Sequence, residues 1–232
     1  MAEPANDPGP TPVYPQTPRT TPARMRERAR YDEATVHAIL DSDVICHVAF
    51  TDGGAPAVLP TSYTRLGRFL YLHASTGSTL ALRARHGLAV SVAVTRVDGF
   101  VLARSANHHS VNYRSVIAHG TAHRVSDPGE ARRALAALLD QVVPGRSGDA
   151  RPPSDRELAA TAVLCLELAE VAAKVRQGGV NDDPEDAALP HWAGVLPLTR
   201  RLGTPVPDPA LPPGTPLPDY LRHATEPGRA EP

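Results

Sequence analysis

The chain has 232 residues, 41% of them hydrophobic, which is enough to bury the core of one domain. Its 24 basic residues nearly balance 25 acidic ones, so no overall field favours a nucleic acid or an anionic membrane as partner. No stretch reaches the roughly 18 apolar residues of a membrane span, and we see no signal peptide. Cys46 and Cys165 lie among apolar neighbours as buried thiols, so we expect a cytoplasmic protein.

Proline marks both ends of the chain. Residues 1–25 contain seven prolines among small and polar residues, a composition that buries too little apolar surface to offset the entropy of ordering. Residues 205–232 have the same character. We therefore expect a disordered N-terminal tail over 1–25, one folded domain over 26–204, and a C-terminal tail over 205–232.

The first half of the domain predicts one helix and a meander of strands. Asp32 is suited to cap a helix over 33–40, whose apolar residues fall at helical spacing. Runs rich in β-branched and aromatic residues, separated by glycine-containing turns, then predict strands. These strands cover 44–50, 55–63 and 69–73.

The second half alternates helices with further strands. A helix over 78–85 should end at Gly87, and Asp127-Pro128 should start another over 129–142. The predicted strands cover 89–97, 99–104, 112–126 and 158–168. Because no strand-helix-strand unit repeats, the fold class is mainly β with α decoration, a small closed β-barrel.

The densest polar cluster is residues 105–115. If its last part is a strand, Arg114 can fork two hydrogen bonds to a phosphate or carboxylate. The alternative is that Arg114 pairs with a surface acid. Histidine pairs such as His108 and His109 are also found in metal sites. Adjacent residues of a strand face opposite ways, however, and no other ligand lies at suitable spacing, so we predict no metal site.

A second polar cluster, residues 72–79, joins a strand to a helix. Ser75 and Ser78 with free N–H groups could bind an anion, or Ser78 could be an ordinary N-cap. His73 in the same cluster could donate a proton, ligate haem or simply be a core residue. Farther on, Lys174 alternates in strand fashion with a neighbouring arginine, and Trp192, the single tryptophan, reads locally as a core anchor.

The order of these segments resembles the pyridoxamine 5'-phosphate oxidase-related flavoproteins of the nitroimidazole-resistance type. The resemblance covers about residues 16–215, and the run His108-His109-Ser110-Val111-Asn112-Tyr113-Arg114-Ser115-Val116 is its most specific part. Other matching segments are Arg26-Glu27-Arg28, Cys46-His47-Val48, Pro60-Thr61-Ser62-Tyr63, Leu70-Tyr71-Leu72-His73, Asp98-Gly99-Phe100 and Trp192-Ala193-Gly194.

This resemblance implies a six-stranded antiparallel, Greek-key-like split barrel that forms a homodimer with FMN at the subunit interface. It also implies that Trp192 closes the site from the partner subunit, and that Thr79 stands where the family has an arginine, weakening phosphate binding by about 1.5 to 3 kcal/mol. The residues implied for the cofactor site are Pro60, Thr61, Ser62, Tyr63, His73, Ala74, Ser75, Ser78, Thr79, His108, His109, Asn112, Tyr113, Arg114, Ser115, Lys174 and Trp192.

The function that the resemblance implies is an FMN-dependent oxidoreductase acting on an unidentified small molecule, with His73 as a proton donor. One alternative is a haem-binding split barrel with His73 or His109 as the axial ligand, and another is a flavin carrier or sensor without turnover. The deazaflavin F420 could also replace FMN. The expected partners are a small-molecule substrate or electron donor and a second copy of the chain, with no nucleic acid and no membrane.

Overall fold

Nine strands and five helices form within residues 12–225, the part of the chain that this computed structural model describes. The strands are β1 (Ala29–Arg30), β2 (Ile45–Asp52), β3 (Ala55–Leu66), β4 (Phe69–Ser75), β5 (Leu88–Leu102), β6 (Ser110–Arg124), β7 (Thr161–Glu167), β8 (Glu170–Arg176) and β9 (Gly194–Pro197). The helices are α1 (Glu33–Asp41), α2 (Thr79–Arg83), α3 (Pro128–Val142), α4 (Asp155–Ala160) and α5 (Asp219–Ala224). None of these helices combines the length and apolar composition that crossing a membrane requires.

Six of the strands close into a ring. Their order is β6-β7-β4-β3-β2-β5, and β5 pairs back with β6. Every pairing within the ring is antiparallel. The expected six-stranded antiparallel barrel with helical additions is therefore confirmed. Strands β8 and β9 extend the sheet outside this ring by pairing with β6 and β5.

One face of each strand fills the ring, because side chains along a strand alternate between two faces. In β5, for example, Val90, Val92 and Val94 are buried, whereas the flanking Ala89 and Thr95 are exposed. The core residues of the other strands include Val48, Tyr63, Leu72, Val116 and Leu164. The residues between them point outward, and that outer face carries most of the candidate site.

Helix α1 begins where the sequence predicts. The Asp32 side chain accepts a hydrogen bond of 2.8 Å from the Thr35 backbone N–H, which satisfies a free donor of the first turn. Val36, Ile39 and Leu40 are buried in the barrel core. The predicted helix over 33–40 is confirmed with one further residue.

The predicted break between strands 89–97 and 99–104 is wrong, because β5 runs without interruption through both. Its pairing with β6 shifts register between Val97 and Gly99. Such a bulge absorbs one extra residue and bends a strand without ending it, so Asp98-Gly99 resembles a turn in the sequence and is not one. The second half of β5 then pairs with β9.

The strand predicted over 158–168 is wrong in its first part, where α4 replaces it. Ser154 and Glu157 form a capping box in which each side chain bonds the backbone N–H of the other. This S-x-x-E pattern was available in the sequence as a helix start signal. The strand β7 begins only at Thr161, as α4 ends.

The N-terminal domain boundary expected at residue 26 lies too late. Residues 1–11 are outside the described part of the chain, but Tyr14 is 1% exposed and its hydroxyl lies 2.8 Å from His37 Nε2. The Arg68 guanidinium stands 5.0 Å above the Tyr14 ring centre. Arg19 forms an ion pair with Glu170 at the start of β8. Residues 12–31, the N-terminal segment, are thus fastened to the barrel despite their prolines.

The C-terminal region lies on the surface with little regular structure. Residues 205–218 form neither helix nor strand, and Val206 is 90% exposed. Helix α5 follows, and its Tyr220 hydroxyl accepts a hydrogen bond from Arg146 and donates one to Asp149. Residues 226–232, the end of the predicted tail, lie outside the described residues.

Candidate functional site

The outer face of the barrel is covered at one end and open at the other. Helix α3 packs over outward residues of β4 and β7, where Tyr71 donates a hydrogen bond of 2.9 Å to Glu130 and Val163 is buried. Burial, followed by the hydrogen bond to Glu130, raises the pKa of Tyr71 well above its ordinary value. Beyond Tyr71 along β4 the outer face is open, and the candidate cofactor residues begin there.

His73 is the first residue of this open face. It is exposed, so the local reading of His73 as a core residue is wrong. Its Nδ1 lies 3.3 Å from the Ser62 hydroxyl oxygen on the neighbouring strand, which leaves Nε2 directed away from that contact. Ser75 lies one pleat farther along the same strand and is also exposed.

The predicted flavin strand, residues 60–63, divides between the two faces of β3. Pro60 and Ser62 point outward beside His73, because their register partners are His47 and Ile45 on the outer face of β2. Tyr63 points inward, is 0% exposed and donates its hydroxyl hydrogen to the Leu40 carbonyl. Burial raises the pKa of Tyr63 far above its ordinary value. The expectation that Tyr63 contacts a cofactor on this face is therefore wrong.

The remaining members of the two segments are placed by the same alternation. Thr61 is the register partner of the core residue Cys46 and so turns toward the barrel interior at its end. Ala74 pairs with the buried Ala162 and turns inward as well. Only alternate residues of each predicted segment can therefore line an outer-face site.

One cross-strand row connects the open face from β3 to β8. Pro60, His47, Ala93, Ile117 and Ala172 are successive register partners on adjacent strands. Ile117 is 46% exposed, and His47 is exposed without a hydrogen bond to any described residue. Sequence reasoning missed His47, although its place between the inward Cys46 and Val48 shows which way it faces.

A cavity of about 260 Å³ lies at the far end of this face, between β6, β8 and the N-terminal segment. Ser115 and Lys174, both predicted for the cofactor site, line it together with His119. The Ser115 hydroxyl donates to the Lys174 carbonyl at 3.3 Å. His119 Nδ1 lies 2.8 Å from the Ser91 hydroxyl oxygen, and burial lowers the pKa of His119, which favours the neutral imidazole.

The polar turn after β4 is organised by its own backbone. Ser78 is the N-cap of α2, and its hydroxyl accepts a hydrogen bond of 3.2 Å from the Ala81 N–H. This is the ordinary capping role that the sequence left open as the alternative to anion binding. Thr79, the first residue of α2, is exposed. An arginine at this position, as the resemblance implies for the family, would therefore reach the solvent side of the turn. In this chain Thr79 leaves the turn without that positive charge.

Arg114 forms an ion pair with an acidic side chain of the neighbouring strand. Its guanidinium forms two hydrogen bonds of 3.0 Å to the Asp98 carboxylate across the β5–β6 pair. The hydrogen bond with Asp98 raises the pKa of Arg114. This is the ion pair that the sequence offered as the alternative to phosphate binding. Asn112 bonds Arg176 and the Gly178 carbonyl, so it too already has partners.

The adjacent histidines stand in the loop before β6. His109 is exposed, and its Nδ1 lies 3.1 Å from the Ser105 carbonyl oxygen, which can only accept a hydrogen bond. Nδ1 of His109 must therefore carry a proton, and in the neutral ring the lone pair is on Nε2. His108 is half-buried with Nε2 3.7 Å from Asp183, and its Nδ1 is buried without a partner among the described residues.

Trp192 lies on the surface, contrary to its local reading as a core anchor. It is 70% exposed just before β9, and its ring packs closely over Gly194. Tyr113 lies on the outer side of β6, where Arg176 is its register partner on β8. Among residues 12–225 no cluster of three or more histidine, cysteine or acidic side chains could hold a metal ion.

A family model described as pyridoxamine 5'-phosphate oxidase matches residues 32–175. The chain belongs to this family of flavin-binding split barrels. The range matched by the pyridoxamine 5'-phosphate oxidase family covers the ring and all of β8 but its last residue. It excludes the N-terminal segment, which forms part of the cavity wall. No curated protein matches the chain.

Two solved structures of the family resemble this chain over nearly their whole length. The flavocytochrome Anf3 from Azotobacter vinelandii is 38% identical, with a TM-score of 0.84 over 90% of this chain and 97% of that one. A protein from Mycobacterium smegmatis described as binding FAD and heme is 35% identical, with a TM-score of 0.81 over 85% and 97%. A 5-nitroimidazole antibiotic resistance protein from Bacteroides thetaiotaomicron, 22% identical with a TM-score of 0.51, covers 63% of this chain and 86% of its own, and shares the fold.

Proposed function

We propose that this protein binds both a flavin and a haem and is an oxidoreductase that passes electrons between them. The observation that carries the proposal is the 38% identity to a flavocytochrome across 90% of this chain, supported by 35% identity to an FAD- and heme-binding protein. A flavin exchanges electrons in pairs or singly and a haem exchanges them singly, so the two together link a hydride donor to a one-electron step.

His73 fits the role of haem ligand by position and by hydrogen bonding. A ligating histidine usually has its second ring nitrogen held by a hydrogen bond, which fixes the ring orientation. In His73 the contact of Nδ1 with Ser62 does this and leaves Nε2 free on the open face. The strand β4 holds its backbone rigidly, and the neighbouring Ser75 on the same strand is small enough to leave room beside the ring.

His109 is the alternative ligand, because the Ser105 carbonyl fixes its tautomer with Nε2 free. We favour His73 since it lies on the face that carries Pro60 and Ser62, the outward part of the predicted flavin strand. A haem ligand there would stand close to the flavin, as electron transfer between two cofactors requires. His109 instead lies in the loop beyond the barrel end.

For the flavin we infer FAD in place of the FMN expected from the sequence. The relative at 35% identity is described as binding FAD, and the phosphate cradle of the FMN type is incomplete at Thr79. Pro60 and Ser62 on β3 supply the outer-face positions of the predicted flavin site. His73 would then act as a haem ligand and not as the proton donor that the resemblance implied.

A second copy of the chain would cover the open face. Ile45 and Ile117 on this face are 44% and 46% exposed, and the segment around β9 exposes Trp192 and Leu196. Burying such residues between two copies would stabilise the pair by removing apolar surface from water. We therefore propose a homodimer in which Trp192 of one copy reaches the cofactor site of the other.

The experiment is an absorbance comparison of wild type, His73→Ala, His109→Ala and His86→Ala, each purified and then supplied with haem and FAD. Wild type should show both a Soret band and flavin absorption, and His73→Ala should lose or shift the Soret band while still taking up FAD. His86→Ala, which removes an exposed histidine in the turn after α2, is the matched control and should resemble wild type.

Two results would contradict the proposal. Wild-type protein that takes up no haem and no flavin would refute the proposed binding of both cofactors altogether. A Soret band that survives His73→Ala and disappears in His109→Ala would move the ligand to the loop before β6.

A further inference from the structure

We propose that the cavity between the N-terminal segment and strands β6 and β8 binds the adenylate half of FAD and so selects FAD over FMN. The inference rests on the proposed flavin function and names a subsite for it. Four observations carry it: an unpaired cation, a mixed polar and apolar lining, a fitting size, and a wall that lies outside the matched family region.

Lys174 is the only lysine of the chain and it lines this cavity half-buried. It forms no ion pair and no side-chain hydrogen bond with any residue in 12–225. The other cation at the cavity, Arg19, is neutralised by Glu170. A half-buried ammonium without a counter-ion is unfavourable, and an anionic group such as a phosphate would supply one.

The remaining lining suits a flat base with polar edges. Ile117 presents apolar surface from the sheet, and Pro22 presents it from the N-terminal segment. His119 adds a ring nitrogen, Nε2, which its contact with Ser91 leaves available. A neutral histidine ring can donate or accept a hydrogen bond there, as the edge of an adenine requires.

The size of the cavity favours part of a dinucleotide over a whole one. At about 260 Å³ it is slightly smaller than the roughly 300 Å³ at which pockets for complete small ligands begin. From Ile117 in the cavity wall, the cross-strand row runs through Ala93 and His47 to Pro60, the first residue of the predicted flavin strand. The flavin half would lie along this row on the outer surface of the sheet and the adenylate half in the cavity.

The part of the cavity formed by the N-terminal segment explains why the barrel alone would not select FAD over FMN. The family model begins at residue 32, whereas Arg19, Thr20, Pro22 and Ala29 all line the cavity. The barrel keeps its flavin face without these residues but has only one side of the cavity. The N-terminal segment therefore adds nucleotide selection to a shared flavin-binding barrel.

The test measures dissociation constants of the full-length protein for FAD, FMN and AMP by fluorescence and calorimetric titration. Lys174→Met should weaken FAD by about tenfold to a hundredfold, the value of one charge-assisted hydrogen bond, and leave FMN within twofold. AMP should bind wild type and not Lys174→Met, and Lys174→Arg should restore part of the FAD affinity. Arg156→Met, which removes an exposed cation from α4, is the matched control.

Equal weakening of FAD and FMN by Lys174→Met would overturn the inference, because the lysine would then hold the phosphate that both flavins share. Unchanged affinity for both would overturn it as well. Wild-type protein that binds neither flavin would refute the proposed function, and lysine-dependent binding of AMP would in that case still identify the cavity as a nucleotide site.

Discussion

Replacing Tyr14 by alanine tests whether the N-terminal segment belongs to the folded domain. Tyr14 is 1% exposed, packs in the barrel core cluster and bonds His37 through its hydroxyl at 2.8 Å. Truncating a buried aromatic residue of this kind costs about 3 to 5 kcal/mol from lost transfer free energy and the residual cavity. For a domain of this size that corresponds to a fall in Tm of about 6 to 20 °C.

Two further variants separate the parts of this effect. Tyr14→Phe removes only the hydroxyl and should cost about 0.5 to 1.5 kcal/mol. Val13→Ala alters the preceding residue, which is 62% exposed, and should change stability by less than about 0.5 kcal/mol. The free energy of unfolding is measured in urea at one protein concentration, because a dimer would make stability depend on concentration. A Tyr14→Ala cost below about 1 kcal/mol would refute the packing of this segment.

Three other predictions concern acid stability, assembly and sheet pairing. The hydrogen bond from the Gly129 N–H lowers the pKa of the Asp127 carboxyl in the folded protein. The stability that this carboxylate contributes is therefore complete above the unfolded pKa near 4 and is lost as the pH falls through the folded pKa. Asp127→Asn should accordingly lose less stability than wild type between about pH 6 and pH 3, as measured by urea titration. The emission of Trp192, the single tryptophan, should move to longer wavelength as the dimer dissociates on dilution, and no change across a dissociation verified by sedimentation would contradict the proposed contact. Gly99→Ala places a Cβ 2.9 Å from a backbone oxygen of β9, so it should cost about 1 to 3 kcal/mol and broaden the β9 amide signals in NMR spectra.

Local patterns were sufficient to predict most elements of the fold. The cap at Asp32 and the apolar spacing behind it located α1, and strand-like runs located β2, β3 and β4. The errors arose where a local signal has two meanings. Asp98-Gly99 resembles a turn, but a neighbouring strand on each side keeps it in β5. The capping box of Ser154 was visible and would have separated α4 from β7.

The candidate site was harder to predict because it depends on which face each side chain takes. The segments around Pro60 and His73 were both predicted for the cofactor site, and the structure places Ser62 beside His73. Period-two alternation then removes Tyr63 from the outer face, which a continuous run of predicted contacts overlooked. The ion pair of Arg114 depends on Asp98, a residue of another strand that no local pattern connects to it.

The proline content of the N-terminal segment misled for a physical reason. Composition measures how much apolar surface a segment can bury by itself, and for residues 1–25 that amount is small. Tyr14 contributes one large ring to a core that the barrel has already formed. A single anchor of this kind leaves almost no trace in the average composition of the segment.

Strand β8 has an outer edge that only two residues of β1 cover, opposite Ala173 and Lys174. Unpaired N–H and C=O groups along an edge strand can hydrogen-bond to another chain, and this is a common route to aggregation. The turn at Thr17 and Arg19 shields the remaining start of β8 by binding Glu170. A recombinant fragment trimmed to the family boundary at residue 32 would therefore retain the whole ring, yet should precipitate through this bared edge.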